Sequence, residues 1–277
     1  MTTEAHSALV ESMPNGLVRY AADSGVATIE LFSPPANAYS YATHRDLDEA
    51  ILRARMDESV HVIVLRGAGE KFFCAGADIA MLDAVTPQFK YYFCLHANET
   101  LNRLEQTPKL VIAALNGHTV GGGMEIAMAA DMRLARKGAG KMGLPEVSLG
   151  VLPGTGGTQR LARLVGKARA IELMATGELF TFEKAAEYGV VNRVIDAPTV
   201  DAFMDEVIAF ARGFVPPARA SLAVGRIKRA VQTGLEVGFE SGLALERELQ
   251  QQLFTSDDAA EGIKAYVEKR KPDFKGK

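Results

Sequence analysis

The sequence predicts an α/β core of stacked strand–loop–helix units over residues 1–199, followed by a helical C-terminal region over residues 200–277. Three observations carry this. Val62–Ile79 runs buried strand, glycine-containing loop, helix start, and Val111–Ile126 repeats that order. The offset between the two is roughly 45 residues, the length of one unit in a stacked coil. Beyond Pro198, helical periodicity dominates to the end of the chain, with no low-complexity linker before it.

In order, residues 1–15 read as a loose end. Leu17–Tyr20 and Val26–Leu31 alternate like strands around Ala-Asp-Ser-Gly, which predicts a hairpin. Ser33-Pro34-Pro35-Ala36 breaks the ladder, because proline cannot donate to it. Leu47, Ile51, Leu52 and Met56 predict one helical face. A second buried strand lies in His61–Arg66, and Gly67–Gly76 reads as a loop. Asp78 then caps a short helix. A longer helix spans about residues 89–105 and ends before Thr107-Pro108. Val111–Leu115 is a buried strand, broken at Asn116-Gly117. Small apolar residues over Met124–Ala130 form a helix. Lys167–Ala175 and Phe182–Tyr188 are helices, and Val191–Ile195 is a last strand. Val200–Phe214, Pro216–Gln232, Glu236–Phe254 and Asp257–Lys269 are the helices of the tail. Their apolar faces, such as Leu222, Ile227 and Val231 or Leu243, Leu245 and Leu249, must be buried on the core or on a neighbour.

Composition excludes several function classes. Hydrophobic residues make up 48%, which suits a globular core. A net charge of −3 gives no electrostatic case for nucleic acid or an anionic membrane. No apolar run approaches a membrane span. The N-terminus has neither a signal peptide's apolar stretch nor a transit peptide's arginines, so a cytoplasmic protein is expected. Cys74 and Cys94 suggest no disulfide framework, and the isolated histidines suggest no metal site. No G-x-S-x-G occurs. Gly138–Gly143 matches G-x-G-x-x-G, but Pro145 forbids the long helix that a dinucleotide fold requires there.

The chemistry concentrates in Val111–Leu161. Gly121, Gly122 and Gly123 open a helix, where N–H groups lack internal partners and the dipole favours negative charge. Glu125 sits beside them among Ile126, Ala127, Met128 and Ala129. An acid in a first helical turn is ordinary. A buried one is not, and no Lys or Arg lies between Asn116 and Met132. Burial there costs several kcal/mol unless partners or a proton compensate. Glu146, in L-P-E-V, is a second acid among apolar residues. Two carboxylates at one site push their pKa values apart, so one can hold a proton while the other is ionised. The loops Cys74-Ala75-Gly76 and Gly121-Gly122-Gly123 are singly tight turns. As members of a quasi-repeat they could aim two backbone donors at one point. Gly154-Thr155-Gly156-Gly157 is another helix entrance, and close packing explains it as well as substrate contact does. Met81, Phe89, Tyr92 and Phe93 are candidate pocket walls or plain core.

Four segments together resemble the crotonase superfamily, and within it enoyl-CoA hydratases. They are F-C-A-G-A-D-I at Phe73–Ile79, N-G-H-T-V-G-G-G-M-E-I-A at Asn116–Ala127, L-P-E-V-S-L-G-V-L-P-G-T-G-G-T-Q-R-L at Leu144–Leu161, and Y-V-E-K-R-K-P-D-F at Tyr266–Phe274. The resemblance implies a crotonase-like spiral of ββα repeats followed by a helical oligomerisation region that builds a trimer or a pair of trimers. It implies an acyl-CoA substrate, with coenzyme A as carrier and no separate cofactor or metal. Glu125 and Glu146 would be catalytic, and the N–H groups of Ala75 and Gly122 would form the oxyanion hole. Ala75, Gly76, Ala77, Asp78, Gly122, Tyr266 and Lys269 would meet the substrate, the last two often from an adjoining subunit. Relatives usually give Glu146's counterpart the protonating role and Glu125's the water-activating one; the sequence alone leaves this open. The chain departs from the pattern at Pro34-Pro35-Ala36 and Ala80, where relatives often carry basic residues, so the phosphates would fall to Lys71, Lys269 or another lysine. Double-bond isomerisation and RNA binding are the alternative activities of such relatives.

Overall fold

The computed structural model describes residues 9–277; the first eight residues of the expected loose end lie outside them. From Glu11 that end is not loose. Strand β1 (Glu11–Ser12) pairs antiparallel with β2 (Val18–Asp23). The buried Asp46 carboxylate accepts the Asn15 and Leu17 N–H groups at 3.0 and 2.9 Å. A buried carboxylate left without donors would be costly, so satisfying Asp46 fixes the turn. The hairpin continues into β3 (Val26–Leu31), with Ser24 and Gly25 both in the left-handed region at its turn.

Helix α1 (Tyr41–Met56) starts at a Ser40–Thr43 capping box. Leu47, Ile51 and Ala54 form its buried face, whereas Met56 is 74% exposed. At about 100° per residue, Met56 falls on the opposite side from Leu47, which corrects the expected face.

Three strand–strand–helix units follow. The first is β4 (Val62–Gly67), β5 (Phe72–Cys74), α2 (Ile79–Ala84) and α3 (Pro87–Gln106). The second is β6 (Leu110–Leu115), β7 (His118–Val120) and α4 (Gly122–Met128). The third is β8 (Met132–Arg136), β9 (Lys141–Gly143), a 3-10 turn over Glu146–Leu149 and α5 (Gly157–Val165). Helix α6 (Lys167–Thr176), β10 (Phe180–Thr181), α7 (Phe182–Glu187) and β11 (Arg193–Ile195) complete the strand-containing part. The first strand of each unit joins a seven-stranded sheet, ordered β1-β2-β3-β4-β6-β8-β11. The second joins a four-stranded sheet, ordered β10-β9-β7-β5. Within the units the pairings β4–β6–β8 and β5–β7–β9 are parallel. The chain is thus a spiral of ββα repeats. The short strands β5, β7 and β9 lie where the sequence suggested loops or nothing, because three residues carry no readable period.

Side-chain alternation builds two cores, one on each face of the large sheet. Ile63 and Leu65 of β4 and Val111, Ala113 and Leu115 of β6 point to one, shared with α1, α3 and α4. Val62, Val64, Ile112 and Ala114 point to the other. Helix α8 (Val200–Arg212) covers this second face with Phe203, Val207 and Ala211, one turn apart. The tail continues as α9 (Ser221–Gly234), α10 (Phe239–Phe254) and α11 (Asp257–Val267). Helix α9 begins later than expected, because Val215–Ala218 closes a turn through the two prolines. A buried Lys228–Asp131 ion pair at 2.9 Å ties α9 to the core. Leu249 is buried and Leu222, Leu243 and Leu245 half-buried, but Ile227, Val231, Leu235, Phe239, Phe254 and Val267 stay exposed on this chain. No helix among the described residues is long and apolar enough to cross a membrane.

Candidate active site

The second and first repeats bring their glycine loops together. A Cβ built on Gly76 would lie 3.0 Å from the Val120 carbonyl oxygen and 3.3 Å from the Gly122 nitrogen. This is the juxtaposition expected from the quasi-repeat, and the parallel β5–β7 pairing produces it.

Which amides point out of the loops is a matter of pairing. The Ala75 N–H donates to the Ala36 carbonyl at 3.0 Å. It is therefore occupied, and the assignment of Ala75 as an oxyanion donor is corrected. Gly76 and Asp78 bond to Tyr39 through a parallel bridge, Tyr39 N–H to the Gly76 carbonyl and Asp78 N–H to the Tyr39 carbonyl, each at 2.9 Å. Ala77, between them, turns its own N–H away from that bridge. Among the described residues the Ala77 and Gly122 N–H groups have no hydrogen-bond partner. The sequence offers two alanines flanking Gly76, and only the pairing with residues 36–39 separates them. The Asp78 carboxylate accepts the Met81 N–H at 3.1 Å and caps α2, as expected.

Glu125 lies in the first turn of α4 and is 2% exposed. Its Oε1 accepts the N–H groups of Thr155 at 2.8 Å and Gly157 at 2.7 Å, and its Oε2 accepts the Thr155 hydroxyl. These donors lie 30 and 32 residues from Glu125 in sequence and arrive from the entrance of α5, so no local pattern around Glu125 announces them. The close approach also explains Gly157, whose Cβ would come within 2.9 Å of Oε1.

Glu146 opens the 3-10 turn on the other side of Gly121, where a Cβ would lie 3.1 Å from its Oε1. Its Oε2 is buried without a partner. Burial pushes the Glu146 carboxyl up to about 7; its own backbone N–H opposes this, and the charge of Glu125 adds to the rise. The two acids thus share one site, at the mouth of α4 beside two unengaged amides.

A stability consequence follows. The folded-state pKa of Glu146 is raised, so the folded protein holds this proton more tightly than the unfolded chain. Between the ordinary carboxylate range and about 7, stability falls as pH rises. Glu146→Gln is therefore expected to raise Tm at pH 8 by more than at pH 5. An equal change at both would show that Glu146 ionises freely in the fold.

Of the candidate pocket walls, Phe93 is core and stacks near Tyr39 at 5.9 Å, and Met81 packs against the same core. Phe89 and Tyr92 are exposed. Tyr266 is 87% exposed and Lys269 is also exposed. Among the described residues neither makes a hydrogen bond, ion pair or ring contact to the loops or the glutamates.

The comparisons agree with this architecture. Residues 21–277 match the family model of enoyl-CoA hydratase/isomerase. A probable enoyl-CoA hydratase of Bacillus subtilis is 36% identical over 94% of this chain and 98% of its own length. A short-chain-enoyl-CoA hydratase of Clostridium acetobutylicum is 37% identical over 89% of this chain and 92% of its own. A crystal structure of an enoyl-CoA hydratase from Bacillus anthracis superposes with a TM-score of 0.87 at 34% identity, over 94% of this chain and 100% of that one. With its ββα spiral, paired glycine loops and this likeness along almost its whole length, the chain belongs to the enoyl-CoA hydratase/isomerase family.

Proposed function

We propose that the protein is an enoyl-CoA hydratase, adding water across the 2,3 double bond of a 2-enoyl-CoA thioester. The observation that carries this is the unlike pair of acids. Glu146 has a carboxyl raised to about 7 and an unpartnered oxygen, and Glu125 accepts three donors, on either side of Gly121. Water attacks C3 and loses a proton to Glu125. Charge gathers on the thioester oxygen, where the Ala77 and Gly122 N–H groups stabilise the enolate. Glu146 delivers a proton to C2. Each step uses protein groups alone, and the regenerated acids exchange protons with solvent. The hydratase names of the relatives support the same reading.

The test is direct. Purified protein is given 2-enoyl-CoA thioesters of graded chain length, and loss of the conjugated absorbance is followed with mass analysis of the product. A hydrated 3-hydroxyacyl product is expected. A product of unchanged mass, with the double bond moved, would replace the hydratase reading by an isomerase.

The exposed apolar side chains of α9–α11 support assembly into a trimer or a pair of trimers, in which Tyr266 and Lys269 would reach a neighbour's substrate. Sedimentation is expected to give three or six chains. A fully active monomer would end this part of the reading.

A further inference from the structure

The donors that hold Glu125 belong to a short run of main chain with an anchor of its own. Thr155 and Gly157 give their N–H groups to Oε1, so the peptide units before and after the Thr155–Gly156 unit both serve the carboxylate. The carbonyl of the unit between them accepts Arg160 Nη1 at 3.2 Å. Gly156 makes room for this contact: its φ is 107°, and a Cβ there would collide with Arg160 Nη1. Arg160 is held in turn by α3. Its Nε and Nη2 donate to the two Glu105 carboxylate oxygens at 3.3 and 2.8 Å, and Nη2 also donates to Asn102 Oδ1 at 3.1 Å. The Arg160 and Glu105 side chains are 12% and 30% exposed. An exposed ion pair contributes little, but a guanidinium fork set on a carboxylate has a fixed direction as well as a charge.

We propose that Arg160 and Glu105 form a clamp that positions the Glu125 carboxylate through the main chain of Thr155–Gly157. The clamp rests on the reading of Glu125 as the water-activating group. Glu105 orients the guanidinium, and the guanidinium fixes the plane of the Thr155–Gly156 peptide. A peptide unit is rigid, so it turns only through ψ of Thr155 and φ of Gly156. Gly156 has no side chain to resist that turn, so the restraint has to come from a partner of the carbonyl. Held in place, the run aims two N–H groups at Oε1 and the Thr155 hydroxyl at Oε2. Released, it turns and carries those donors off the carboxylate. Glu105 ends α3 of the first repeat, Glu125 opens α4 of the second, and Arg160 lies in α5 of the third. The clamp thus fastens three repeats around one carboxylate. Arg160 and Glu105 are positioning residues, acting through Thr155 and Gly157.

The test uses Arg160→Met, Arg160→Lys, Glu105→Gln and the Arg160→Met/Glu105→Gln double variant. Arg160→Met is expected to lower kcat by about 10- to 100-fold, the scale of a misplaced reacting group, with KM changed little. Arg160→Lys should lose nearly as much, because an ammonium cannot span the Glu105 carboxylate and the Thr155 carbonyl as the fork does. Glu105→Gln should lower kcat less, by about 3- to 10-fold, since an amide oxygen still accepts from the guanidinium. It should have no further effect in the Arg160→Met background, where the clamp is already open. Arg163→Met is the control: it removes a two-pronged pair with Glu236 from the same helix, away from the Thr155 carbonyl, and should leave kcat unchanged. The carboxyl 13C resonance of Glu125 reads the same variants without activity. It should move with Arg160→Met and stay in place with Arg163→Met. A Tm that falls in Arg160→Met while kcat per folded molecule stays at the wild-type value would overturn the clamp. So would a Glu125 resonance unmoved by Arg160→Met, or effects of Arg160→Met and Glu105→Gln that multiply. Wild-type protein inactive on enoyl thioesters, with the Glu125 resonance still answering to Arg160, would sink only the hydratase reading.

Discussion

Glu125→Gln and Glu146→Gln are each expected to lower kcat for hydration by at least about a hundredfold, the lower range for a general acid–base group, while the fold is kept. The structure explains why folding survives. In Glu125→Gln the amide oxygen can take the two main-chain donors of Thr155 and Gly157. The amide NH2 then faces the Thr155 hydroxyl, which rotates from donor to acceptor. The shape is retained and proton acceptance is lost. Glu146→Gln replaces a half-buried acid that makes no side-chain hydrogen bond, so it breaks none and removes a charge that burial disfavours. Its loss is chemical, because an amide cannot deliver a proton to C2. Since the acids act as a unit, the double variant should be little slower than the worse single one. A well-folded single variant with near-normal hydration would end the two-carboxylate mechanism.

The fold was readable where periods were long. The buried runs of β4 and β6, the repeat spacing and the helices of the tail all carry patterns of several residues. The three-residue strands β5, β7 and β9 do not, and they are the ones that set the loops side by side. The site was readable to the same depth. Glu125 and Glu146 stand out because acids among apolar residues need an explanation. Ala77 does not stand out from Ala75, because the distinction is made by residues 36–39 across a bridge. Thr155 lies 30 positions from Glu125, and no local pattern announces a hydroxyl aimed at a distant carboxylate. Tyr39 is hidden for the same reason. Its partners in sequence are a helix cap and a proline turn, whereas its partners in space are Gly76, Asp78 and Gly122.

Gly123→Ala is expected to lower kcat/KM by about a hundredfold or more, the scale of losing an oxyanion donor, and to lower Tm as well. A Cβ there would collide with the Cys74 carbonyl oxygen and come within 2.8 Å of the Cys74 carbonyl carbon and Cβ. Cys74 is fully buried at the end of β5, directly before the loop that carries Ala77. Overpacking a site of this kind costs about 1–3 kcal/mol when neighbours must shift. The neighbour here is main chain, which has no rotamer to change. Relief requires the Cys74–Ala77 loop and the start of α4 to separate, and that separation moves the Ala77 and Gly122 amides apart. Cys74→Ala in the Gly123→Ala background should therefore rescue neither activity nor Tm, because the offending oxygen remains. Gly234→Ala provides the contrast: it sits in α9 with nothing within 4 Å of an added Cβ, and it should leave activity unchanged. If Gly123→Ala hydrates normally, the two loops do not have to touch for turnover, and a paired-amide oxyanion hole is excluded.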